Sequence, residues 1–151
     1  MLIVEDHAPM REAIRVCIES AFPGLSVIEA TDGVTALKAV EAHGPCFVLM
    51  DINLPDVNGL DLTRDILKHW PGTFVAATSI DTSADLSERA RVAGAVQFIG
   101  KDDLFKTLLP LVSAAVTMNN WMKDFESDTA ITDESPFNRE HHAEQLLENG
   151  V

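Results

Sequence analysis

The stretch FVLMDINLPDVNGLDL, residues 47–62, runs four apolar residues into Asp51 and then breaks into Asn53, Pro55, Asp56 and the pair Asn58-Gly59. A short apolar run bounded by turn formers reads as a strand. One without polar alternation belongs in the middle of a parallel sheet, covered on both faces. A carboxylate at the mouth of such a strand is costly unless something pairs with it. The segment therefore predicts a buried parallel strand over 46–50 with a charged cluster at its carboxyl end.

The pattern repeats outward. LIV (2–4) is a short first strand, and LSVIEA (25–30), TFVAAT (73–78) and AVQFIG (95–100) read as further strands. Between them lie amphipathic helical stretches. Residues 9–22 open on Pro9, which suits a first helical turn, and place Met10, Ala13, Ile14, Cys17, Ile18 and Phe22 on one face. Residues 33–43 turn Val34, Leu37, Val40 and Ala42 inward. Residues 59–70 offer Leu60, Leu62, Ile66 and Leu67 to the core, and residues 83–94 form a more polar helix. A fifth helical stretch covers about 103–125. Pro110 is costly inside a helix, so the regular helix is expected to start near Thr107, a suitable N-cap, after an irregular turn at 102–106. Strands alternating with helices imply an α/β doubly wound sheet with helices on both faces.

The chain has 151 residues and a net charge of −13, enough for one domain with some tail. No Lys/Arg cluster is present, so direct nucleic-acid contact by this chain is not expected. A cation or a basic partner suits the charge better. Cys17 and Cys46 lack CxxC spacing and read as free thiols in a reducing compartment. No signal peptide and no run of membrane-spanning length is seen, so the expected location is cytoplasmic. From Lys123 to the end there are eight acidic and two basic residues, an acidic tail or linker (123–151) with one short helical candidate, NREHHAEQLLEN.

In doubly wound sheets ligands bind beyond the carboxyl ends of the strands. Glu5 and Asp6 follow the first strand, Asp51 ends the third, Thr78 and Ser79 end the fourth, and Lys101 ends the fifth. Three carboxylates at one edge repel one another and call for a cation. Hard oxygen ligands with room for water favour Mg²⁺. Zinc motifs are absent, and His7 reads as a helix-start residue rather than a ligand. A metal, an ammonium and a hydroxyl around one carboxylate are what phosphoryl transfer requires, and an aspartate can accept the group as an acyl phosphate. Asp51 is thus paired, and its task is to receive phosphate.

These residues resemble the receiver domain of two-component response regulators. The matching pieces are IVEDH, LMDINLPDVNGLDL with Asp51, Pro55 and Gly59, AATS after the fourth strand, and AGAVQFIGKDD with Lys101; they span about residues 1–122. The resemblance implies a flavodoxin-like five-stranded parallel sheet of order 2-1-3-4-5 with an extended fifth helix. By position it implies Asp51 as phosphoacceptor, Asp6 as a direct Mg²⁺ ligand, Glu5 as an outer one acting through water, and the carbonyl of Asn53 as a third protein ligand. Mn²⁺ is the alternative ion. Lys101 becomes the phosphate's ion-pair partner, Thr78 the switch hydroxyl, Ser79 a further backbone donor, and Phe98 the switch aromatic. With Phe in place of Tyr, gating rests on packing alone. The implied partners are a histidine kinase or histidine phosphotransfer protein, and a downstream protein reading the face of helix 4, strand 5 and helix 5. The chain would act as a signalling phosphoacceptor, not as an enzyme on other substrates.

The likeness of VEDH and KDD is to receivers that commonly precede a DNA-binding helix-turn-helix. Residues 138–150 match the opening of such a domain in part, but Glu144 falls where an apolar residue belongs. Leu111, Ala115, Met118, Met122 and Phe125 follow a coiled-coil spacing, which with Trp121 suggests a homodimer or partner-helix surface, or a fold-back on the domain. Three readings stay open: a single-domain phosphorylation switch, which leads; the receiver part of a longer DNA-binding regulator; and a phosphorylation-independent interaction module. A hydrolase of the haloacid-dehalogenase type is disfavoured, because DINLP lacks its Asp-x-Asp pattern.

Overall fold

The computed structural model describes residues 1–130, and side-chain surroundings through residue 120 and at 123. The helical candidate in 138–150 therefore lies outside the described residues, as do the side chains of Trp121, Met122 and Phe125. Met1–Ala115 make one compact unit, and the rest of the fifth helix from Val116 on falls in a second.

The elements alternate as expected: β1 Leu2–Val4, α1 Ala8–Ala21, β2 Ile28–Ala30, α2 Gly33–His43, β3 Phe47–Asp51, α3 Gly59–His69, β4 Phe74–Ser79, α4 Ala84–Ala93, β5 Gln97–Gly100 and α5 Leu104–Ala130. The strands are all parallel, in the order β2-β1-β3-β4-β5. This is the flavodoxin-like arrangement. β3 is buried along its whole length, as its apolar run requires. Leu2, Val4, Val48, Met50 and Val75 turn to the side where α2 and α3 contribute Ala36, Val40, Leu62 and Ile66. Ile3 and Leu49 alternate to the other side, which buried Ile14 and Ile18 of α1 and Leu104, Leu108 and Val112 of α5 serve to cover. Leu60, Leu86, Ala90 and Ala93 form a further cluster with Ile52 and Ala77.

Four local expectations need correction. β2 starts at Ile28, not at residue 25. It pairs only with β1, whose three residues give it three partners, and the preceding Leu25 closes a turn onto Phe22. In α2 the inward stripe is Gly33, Ala36, Leu37 and Val40, the 3.6-residue repeat of an amphipathic helix, so Val34 and Ala42 are exposed. In α1 only Ile14 and Ile18 are fully buried, and Ala13 is exposed. The fifth helix starts at Leu104, after a single 3-10 turn over Lys101–Asp103. Leu104 is completely buried, and that burial anchors the first turn. Pro110 is tolerated inside the helix because it lies on the exposed face, where the carbonyl freed at Lys106 meets water. Ala115 is buried too, so the 111/115/118 seam is not a free stripe.

Gly59 fixes the start of α3 against β3. A Cβ there would press on the carbonyl oxygen of Asp51 and sit 2.7 Å from Ile52 Cα. Both neighbours are backbone and cannot swing aside. Gly59→Ala is expected to destabilise the fold by about 3 kcal/mol, the upper range for overpacking, read as a drop in the urea midpoint at unchanged m-value.

Candidate functional site

The parallel register sets the strand ends level. Val4 is opposite Met50, Asp51 opposite Thr78, and Ser79 opposite Gly100. The next residues, Glu5 and Lys101, thereby arrive beside Asp51. Lys101 Nζ lies 3.0 Å from Glu5 Oε2 and 3.2 Å from Asp51 Oδ2. Glu5, Asp51, Thr78 and Ser79 are all buried, whereas Asp6 and Asn53 are exposed. A cleft of about 530 Å³ opens over them, lined by Glu5, Asp6, Asp51, Asn53 and Lys101, with Met10 and Ile80 at its apolar edges.

Each side chain has a local anchor. Asp51 Oδ1 accepts the Asn53 N–H at 3.0 Å, which turns the chain sharply out of β3. Glu5 Oε1 accepts the His7 N–H at 3.3 Å. His7 is indeed a helix-start residue: its Nδ1 accepts the Met10 N–H at 3.3 Å as the N-cap of α1. Arg11 donates to the Glu5 carbonyl at 2.9 Å and pairs with Glu29 at 3.5 Å, so α1 and β2 hold the acidic loop in place. Ser79 Oγ accepts the Asp81 N–H at 3.1 Å, pinning the loop into α4. Phe98 is half-buried and packs against the α3–α4 cluster.

Burial and the neighbouring Asp51 charge push the Glu5 carboxyl above the usual carboxylate range, with the Lys101 hydrogen bond pulling part of the way back. Burial works against the Lys101 charge, but the hydrogen bond to Glu5 and the charges of Asp51 and Glu5 outweigh it and hold the ammonium above its ordinary value. The site is thus short of positive charge. Glu5, Asp6 and Asp51 offer oxygens that all lie within 4.8 Å of one another, and this hard, anionic set could hold a metal ion such as Mg²⁺.

The hydroxyl of Thr78 is buried and has no hydrogen-bond partner among the described residues. A buried polar group left unmade costs its desolvation. Thr78→Val is therefore expected to raise the stability of the unmodified protein by about 1 kcal/mol, checked by chemical denaturation. A loss of stability instead would show that the hydroxyl is already bonded.

Sequence reading missed Arg11, Met10, Ile80 and Asp102 at this site. Arg11 looked like any charge on an amphipathic helix, Met10 like a core-face residue of the same helix, and Ile80 and Asp102 reach the cleft through the turns that follow β4 and β5.

The chain was compared with known proteins. The family model described as the response regulator receiver domain matches residues 1–112. Among curated relatives, the chain is 32% identical over 104 residues to the transcriptional regulatory protein DegU of Brevibacillus brevis, covering 68% of this chain and 43% of that protein. It is 30% identical over 135 residues to the transcriptional regulatory protein PdtaR of Mycobacterium tuberculosis, covering 89% of this chain and 64% of the relative. The chain thus spans about half the length of these relatives. Among solved structures, a CheY-like receiver domain protein of Methanospirillum hungatei superposes with a TM-score of 0.72 at 26% identity, over 80% of this chain and 95% of the other. The receiver domain of NtrX from Brucella abortus gives 0.69 at 26% identity, over 77% and 97%. No helix among the described residues is long and apolar enough to cross a membrane. With the sheet order, the level strand ends and the family match in agreement, this chain belongs to the response regulator receiver domains of two-component systems.

Proposed function

We propose that the chain accepts a phosphoryl group on Asp51 and uses it to switch a protein-binding face. The observation that carries this reading is the convergence of Lys101 on both Glu5 and Asp51 beneath an open cleft, beside a buried and unsatisfied Thr78 hydroxyl. An Asp51 oxygen attacks the phosphorus of a phosphohistidine. The new O–P bond forms as the P–N bond breaks, and the leaving imidazole takes up a proton. Lys101 pairs with the charge on the transferred group, and Thr78 gains the acceptor it lacks. Asp6 and Asp51, with the carbonyl of Asn53 and Glu5 acting through water, are the residues that would hold Mg²⁺ (or Mn²⁺). Bound there, the ion neutralises charge on the phosphoryl oxygens.

As Thr78 and Lys101 move toward the new oxygens, the Ser79–Ser83 loop shifts with them and Phe98 repacks. The face these residues control carries exposed Val92 on α4, Val96 just before β5 and Phe105 on α5, which supports a downstream protein or a second copy of the chain as the reader. We take residues 1–122 as the receiver unit and 123–151 as an acidic tail, acting in the cytoplasm as a phosphoacceptor with no further enzymatic activity. The transcriptional regulators among its relatives support a second reading, in which the chain is the receiver part of a longer regulator.

Intact-mass analysis after incubation with acetyl phosphate tests the proposal. One added phosphoryl group, dependent on Mg²⁺, is expected, with beryllofluoride as a trapped mimic. A protein unchanged in mass by acetyl phosphate and in amide spectrum by beryllofluoride would leave only an interaction module.

A further inference from the structure

Helix α2 begins with donors that its own cap does not reach. The first N–H groups of a helix have no intrahelical partner. Asp32, the N-cap, accepts the Thr35 N–H at 2.8 Å, and Thr35 Oγ1 accepts the Asp32 N–H at 3.2 Å. The N–H groups of Gly33 and Val34 are taken instead by Asp56, whose two carboxylate oxygens accept them at 2.8 and 3.2 Å. Asp56 lies in the loop between β3 and α3, three residues beyond Asn53. An anionic side chain at the positive end of a helix makes charge-assisted bonds. The approach is close: a Cβ at Gly33 would run into Val57 Cγ1 and stand 3.3 Å from both Asp56 oxygens. Gly33 is needed here for room.

The rest of the loop is held from the other side. Asn53 donates to Asp51, bridges to Asn58 across the loop, and Asn58 caps α3 through the Leu60 N–H at 2.8 Å. None of these bonds ties the outer part of the loop to the body of the domain. Leu54 and Val57 pack against the core from this segment, and Asp56 adds its polar tie to the domain, because α2 is packed on the sheet through Ala36 and Val40.

We propose that Asp56 is a positioning residue for the metal site: by clamping the loop to α2 it fixes the Asn53 carbonyl where Mg²⁺ requires it. The inference rests on the metal reading proposed above. Its rival is that Asp56 serves only as a second cap for α2. Asp32 separates the two, since it caps the same helix end, carries the same charge and, among the described residues, hydrogen-bonds to Thr35 of its own helix rather than to the loop. Charge removal is then equal in the two variants.

Mg²⁺ is titrated into wild type, Asp56→Ala, Asp56→Asn and Asp32→Ala in ¹⁵N-labelled protein, following the amide signals of residues 51–57, with thermal melts alongside. Asp56→Ala is expected to weaken Mg²⁺ binding on the order of tenfold, as loss of a residue supporting metal ligands does. Asp56→Asn keeps one acceptor and should fall between it and wild type. Asp32→Ala should lower the melting temperature without changing Mg²⁺ affinity. Equal Mg²⁺ affinity in Asp56→Ala and Asp32→Ala, or losses that simply track melting temperature, would overturn the proposal. Wild type that binds no Mg²⁺ would instead defeat the metal reading itself. If Asp56→Ala does not fold, the Asp56→Asn affinity against Asp32→Ala decides.

Discussion

Asp51→Asn is expected to take up no phosphoryl group from acetyl phosphate under conditions where wild type is labelled. Removing a group that forms the covalent bond eliminates its step and leaves no neighbour to replace it, a loss of at least about a thousandfold. Glu5 is the nearest other buried carboxylate, but both its oxygens lie close to Lys101 Nζ, at 3.1 and 3.0 Å, and it is recessed at 2% exposure. Asp6 is exposed but flanks the cleft from the β1–α1 loop rather than ending β3. The same change removes a charged oxygen from the metal set, so Mg²⁺ affinity should fall by about tenfold or more, as ligand charge sets affinity for hard cations. The amide can still accept the Asn53 N–H, which keeps the turn after β3. Intact mass and a Mg²⁺ titration check both effects. Labelling of Asp51→Asn at the wild-type rate would move the acceptor elsewhere.

Lys101→Met should cause a large loss of stability that depends on pH. The variant keeps the apolar stem and removes the ammonium that pairs with both Glu5 and Asp51, whose side chains are 3% and 2% exposed. Stripping a partner from buried charges is strongly destabilising. Because the lysine side chain itself retains 14% exposure, about 2–3 kcal/mol at neutral pH is expected, below the full buried-pair cost. The pH dependence has a definite sign. Glu5 already stands above the usual carboxylate range through burial, and without Lys101 it rises further. A raised carboxyl binds its proton more tightly in the folded state than in the unfolded one. Its stabilising contribution is complete below the unfolded value, about 4.3, and is lost as pH rises through the folded value. Lys101→Met should therefore be more stable relative to wild type near pH 5 than at pH 8, roughly the span a buried glutamate can cover. Mg²⁺ should restore more stability to the variant than it adds to wild type, since it supplies the missing positive charge. Urea midpoints across pH, with and without Mg²⁺, decide this. A pH-independent deficit would mean that lost packing, not charge, is responsible.

The alternation of strand and helix, the parallel sheet and the cluster of Glu5, Asp6, Asp51, Thr78 and Lys101 at strand ends follow from the amino-acid sequence alone. Each strand and helix is written in contiguous residues, through apolar runs, the 3.6-residue repeat and turn formers at the breaks. Given a parallel sheet, the carboxyl ends of all the strands fall on one edge, so the residues that meet there can be read from the order of the strands. The sequence misjudged features whose causes lie far along the chain. β2 is short because β1 has only three residues to offer it, and α5 starts before Thr107 because the core buries Leu104. Only the tertiary structure shows that Lys101 reaches Glu5, 96 residues away, and Asp51, 50 residues away, at once. It also decides that the Thr78 hydroxyl has no partner among the described residues, that Arg11 holds the Glu5 carbonyl, and that Asp56 closes on the end of α2. Nothing local distinguishes Asp56 from a solvated loop carboxylate, because its partners are backbone donors exposed by a helix end that folding brings to it.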